Sequence, residues 1–113
     1  MSNDDGHVLD MLRAAALAHE FVRGCSVDDF LADIKTQSAV LHQLTMLGEA
    51  VRRVSEGFRA GHPEVPWSDI AGMRNRIVHE YDAVDIDLVW EVLERDLPAL
   101  IPALKRIAKT EPS

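Results

Sequence analysis

Apolar residues recur along this chain at three- and four-residue intervals, and no stretch alternates as a half-buried strand would. Val8, Met11, Leu12, Ala15, Ala18 or His19, and Val22 mark one face of a first helix, predicted over about 4–23 and stopped at Gly24. Ser26, with acids two and three places on, predicts the N-cap of a short helix over about 27–32. The longest helix is predicted over about 33–58, with Ile34, Gln37, Leu41, Leu44, Leu47 or Gly48, Val51 and Val54 facing inward. Val40, Met46 and Ala50 widen that stripe beyond one packing face, so it is either buried by several neighbours or shared with a second subunit. Gly61, Pro63 and Pro66 make "GHPEVP" a loop. A fourth helix follows over about 67–81. Asp85 then caps a last helix from about 86, with Leu88, Val89, Val92, Leu93, Leu97, Leu100, Ile101 and Leu104 on its buried side. Pro98 and Pro102 lack the donor an unbroken helix needs and predict a kink there. The fold class is all-α, an antiparallel bundle of four to five helices.

At 113 residues the chain is expected to form one domain, with residues 109–113 frayed. The N-terminal stretch lacks the basic flank and apolar core of a signal peptide. No apolar run approaches the roughly 20 residues of a membrane span, and the lone Cys25 suits a reducing compartment. The expectation is therefore a cytoplasmic protein with no membrane partner.

Charge narrows the function. The net charge is −7, divided as −5 over residues 1–33, +1 over 34–81 and −3 over 82–113. A protein that grips nucleic acid without selectivity is usually basic, because neutralised phosphates supply most of its affinity. DNA is thus not expected as a partner, and a local basic site is left to the middle third. The acidic ends serve solubility, and they also discourage casual RNA binding.

That middle third holds "GMRNRIVHEY", residues 72–81. On an ideal helix Ile70, Met73, Ile77 and Tyr81 share one side with Arg74 at its edge, while Gly72, Asn75, Arg76 and His79 share the other. Read plainly, this is a solvated helix face, with Tyr81 an aromatic plug whose hydroxyl reaches water. Read chemically, a histidine moves protons near neutral pH and an arginine fork holds phosphate. Together they suffice to break RNA without metal. A base takes the 2′-hydroxyl proton, the oxygen attacks the adjacent phosphorus, an acid protonates the leaving 5′-oxygen, and the arginine offsets the added charge. Arg74 and His79 lie about 140° apart around a straight helix, however, and do not converge on one phosphate. Either the helix loosens near His79, Arg74 curls around, or a second copy of the helix faces the first. The last option also supplies a separate acid and base from one histidine per chain, and is the one expected.

Other residues add little. His7, His19, His42 and His62 are scattered without ligand spacing, so neither a metal site nor a cofactor is expected. Cys25 reads as a packing residue, Trp67 as the anchor of the fourth helix and Trp90 as core.

Through Arg74, His79 and Tyr81, "RNRIVHEY" fits the R-x4-H-x-Y pattern of the HepT-like toxins of the HEPN superfamily. The flanking "QLTMLGEAVRRVS", "HPEVPWSDIAGMRNRIVHEYD" and "VDIDLVWEVLERDLPAL" also resemble that family, over roughly residues 8–107. The resemblance implies a helical homodimer acting as a metal-independent endoribonuclease toxin of a prokaryotic type II toxin–antitoxin pair. Its antitoxin would be a small MNT-type nucleotidyltransferase. It assigns catalysis to Arg74 and His79 and a supporting role to Asn75, and makes Tyr81 the acceptor of AMP groups from the antitoxin; Arg76 beside them is expected to support the site. The alternative is a noncatalytic binding partner, or adaptor, of a nucleotidyltransferase.

Overall fold

The computed structural model describes residues 3–108 and is all-helical, with no strand among them. The helices are α1 (Asp4–Phe21), α2 (Val27–Leu31), α3 (Ile34–Arg53), α4 (Glu56–Ala60), α5 (Trp67–His79), α6 (Ile86–Glu91) and α7 (Leu97–Ala108). A 3₁₀ turn, Tyr81–Ala83, follows α5, and a π-helical turn, Val92–Asp96, fuses α6 to α7 in one rod. Four long rods therefore make the bundle: α1, α3, α5 and α6–α7. The expected fraying of 109–113 lies outside the described residues.

α3 is the central rod, packed against both α1 and α5, while α7 lies on α1. Met11, Leu44, Leu47, Leu93, Leu97, Leu104 and Ile107 are buried almost completely and form the shared core. None of the helices is long and apolar enough to cross a membrane.

Local chemistry accounts for most boundaries. Gly24 takes φ 79°, the left-handed conformation that ends α1 cheaply, although regular helix stops at Phe21 rather than 23. Ser26 and Asp29 form a reciprocal capping box on α2 (3.1 and 3.0 Å). Asp33 caps α3 by accepting from the backbone N–H and hydroxyl of Thr36, and these bonds hold its carboxyl below the usual carboxylate range. Trp67 seats α5 by donating its indole N–H to the carbonyl of His62 (2.9 Å), and Trp90 packs on Phe30 with ring centroids 5.3 Å apart.

Four expectations are corrected. The long helix does not run from 33 to 58: Val54 turns extended (ψ 135°), and Ser55 starts α4. The buried Asp4 carboxylate accepts from both the N–H and the hydroxyl of Ser55 at 2.7 Å, which fastens the break to the start of α1 and sets α1 and α3 antiparallel. Ile34 is not core but 75% exposed. The inward face begins a turn later, where Gln37 donates to the carbonyls of Phe30 and Leu31, so residue 34 overhangs the bundle. Leu88 is 45% exposed, because α6 leaves an open groove beside α5. The irregularity ascribed to Pro98 lies one turn upstream, where the Leu97 N–H reaches back five residues to Val92. Pro98 cannot donate to the carbonyl of Glu94 and its ring crowds it, so the ladder widens before the proline instead of bending at it. Pro102 is carried inside α7.

Candidate active site

The site is built on α5 where it crosses α3. Gly48 of α3 meets Arg74 of α5: a methyl group at Gly48 would overlap the Arg74 Cβ and stand 2.6 Å from its Cγ. A mid-helix glycine costs about 1 kcal/mol relative to alanine. Here it permits an approach no other residue allows, and the stem of Arg74 lies against the α3 backbone.

That approach delivers the guanidinium to the next residue of α3. Arg74 Nη2 pairs with Glu49 Oε2 at 2.5 Å, and Nη1 donates to Asn75 Oδ1 at 2.9 Å. Arg52 Nη1 reaches the same Glu49 oxygen at 3.4 Å, so one carboxylate stands between two arginines. Among the described residues Arg74 Nε is buried without a partner, and the whole side chain is only 18% exposed. Arg74 and Glu49 line a groove of about 500 Å³ with Arg13, Arg53, Leu17 and Met46.

His79 is the last residue of α5, exposed, and its side chain makes no hydrogen bond or ion pair among the described residues. The helix is regular up to it, so it does not loosen early, and Arg74 does not curl toward it. Within one chain the two side chains stay apart, about 140° around the helix. Arg76 and Gly72 line a different groove, of about 650 Å³, between α5 and the α6–π rod. Arg76 is thus separated from the Arg74–Asn75 pair.

Tyr81 departs from its expected place. Helix α5 ends before it, Glu80 leaves helical geometry (φ −123°, ψ 34°), and Tyr81 opens the 3₁₀ turn at 56% exposure. It does not join Ile70, Met73 and Ile77 on the packed side. Asp85 then caps α6 by accepting from the N–H groups of Asp87 and Leu88.

Glu49 was absent from the sequence-derived site, and Gly48 figured only as a stripe position. The available signal was the glycine in mid-helix, which marks close backbone approach. Nothing local announces that its neighbour reaches a residue 25 positions on.

Residues 11–107 match the family model described as "Ribonuclease HepT-like". The chain is 37% identical over 100 residues to a protein of Thermococcus cleftensis named "Probable ribonuclease HepT", covering 88% of this chain and 91% of that one. It is 38% identical over 92 residues to a protein of Caldanaerobacter subterraneus subsp. tengcongensis named as a "Putative RNase", covering 81% and 82%. A Methanocaldococcus jannaschii protein, also named as a "Putative RNase", is 33% identical over 90 residues, covering 80% and 74%. No solved structure matches the chain.

Proposed function

The chain belongs to the ribonuclease HepT-like family, and from that premise we propose that it is a metal-independent endoribonuclease toxin whose catalytic residues are Arg74 and His79. The observation that carries this reading is a family match across residues 11–107 that encloses a half-buried arginine and an exposed histidine, unpartnered among the described residues, on one helix. Residues 8–107 act as one unit in this reading, in the cytoplasm, where the RNA is.

The nucleophile is internal to the RNA. One imidazole accepts the 2′-hydroxyl proton and the oxygen attacks phosphorus. A second, protonated imidazole donates to the departing 5′-oxygen. The products are a 2′,3′-cyclic phosphate and a 5′-hydroxyl, and the Arg74 fork offsets the charge that builds on the phosphoryl oxygens. Asn75 supports Arg74 through its 2.9 Å hydrogen bond. Arg76, on the other groove, assists through its charge along the RNA path.

A homodimer answers the separation of Arg74 from His79, since a two-fold axis beside α5 sets the histidine of one protomer against the arginine of the other. Exposed Leu17 and Met46 beside Arg74 favour such pairing, as does exposed Val78 next to His79. Purified protein in excess EDTA is expected to scatter light as a dimer and to leave cyclic-phosphate and 5′-hydroxyl ends on RNA. RNA left intact while the protein binds a nucleotidyltransferase would instead identify an adaptor.

Control by an MNT-type nucleotidyltransferase antitoxin completes the proposal. The exposed Tyr81 hydroxyl attacks the α-phosphorus of ATP, pyrophosphate leaves, and the tyrosine carries AMP. The added bulk and negative charge, two residues beyond His79, would repel RNA. Mass spectrometry of the protein co-expressed with such an enzyme is expected to place AMP on the Tyr81 peptide; an unmodified peptide would refute this control.

A further inference from the structure

We infer that Glu49 is the positioning residue for Arg74, setting the guanidinium fork for the phosphate. This rests on the ribonuclease reading of the site. An arginine on an exposed helix normally samples many rotamers. Arg74 is constrained at three points: its stem against Gly48, Nη2 on Glu49 and Nη1 on Asn75. Each terminal nitrogen carries two N–H groups. One on each is engaged by the protein, Nε is shut away from solvent, and one on each remains to meet a phosphate. The carboxylate does not cancel the site's charge, because Arg52 shares it and the trio keeps a net +1.

A carboxylate that merely neutralised Arg74 would slow cleavage when present. One that aims the fork would slow cleavage when removed. Glu49→Gln separates these, because it takes away a negative charge from the RNA path while loosening the guanidinium. The expected result, on a mixed-sequence oligoribonucleotide with fluorophore and quencher, is a kcat lowered about 10- to 100-fold, with KM unchanged or lower. Because unfolded protein would also lower the apparent kcat at unchanged KM, each rate is taken per folded molecule, with the folded fraction read by circular dichroism. In an Arg74→Ala background the same substitution is expected to change kcat by less than about twofold, since Glu49 acts only through Arg74. If Glu49→Gln does not fold, Glu49→Asp carries the test, keeping the charge but withdrawing it by one methylene; kcat again falls at unchanged KM.

An active wild type whose Glu49→Gln kcat is unchanged or raised overturns the inference and leaves the ribonuclease reading standing. An equal drop in the Arg74→Ala background also overturns it, because Glu49 would then act by itself. A wild-type protein that cleaves no RNA overturns both.

Discussion

His79→Ala is expected to lower the rate of RNA cleavage by about 10²- to 10⁴-fold, the range general acid–base catalysis contributes, without changing the fold or the mass of the assembly in solution. His79 is exposed and makes no hydrogen bond or ion pair among the described residues, so its removal leaves no buried group unsatisfied. Surface substitutions of that kind usually shift stability by no more than about 0.5 kcal/mol. Loss of activity without loss of stability is therefore the expected signature, read by steady-state kinetics and thermal unfolding together. Under the proposed toxin activity, expression of the variant is also expected to spare growth where expression of the wild type arrests it. Activity within a few-fold of wild type would remove His79 from the mechanism.

Gly48→Ala is expected to destabilise the protein by about 1–3 kcal/mol, the usual range for overpacking a close contact. It should also abolish much of the activity, because the methyl group would occupy the place of the Arg74 stem. A natural control lies on the facing helix. A Cβ at Gly72 would meet nothing within 4 Å, so Gly72→Ala is expected to stabilise by up to about 1 kcal/mol through helix propensity alone. The two substitutions are chemically identical and should differ in sign. Denaturant titration of both variants checks this, and a Gly48→Ala protein as stable as wild type would mean that α3 and α5 do not cross so closely.

The sequence read well where the deciding forces are local. Ser26 and Asp85 announce helix starts because a side-chain oxygen meets an N–H two or three residues on. Gly24 announces a stop because only glycine enters the left-handed region without strain. It read poorly where a distant partner decides. Near Val54 the local signal is Ser55, which caps α4 by accepting from the Phe58 N–H, but the group that fastens the break to the bundle is the Asp4 carboxylate at the start of the chain. Ile34 and Leu88 fit the apolar period but not the bundle, since a period says which residues share a face and not where the neighbouring helix ends.

The same division runs through the site. Periodicity by itself determined an all-helical chain, and the order of residues 74–79 determined which chemical groups α5 carries. That Arg74 is held on α3 was decided by tertiary structure alone. A guanidinium is aimed by whatever carboxylate the fold brings within reach, and the residue carrying that carboxylate lies a full helix away in the chain.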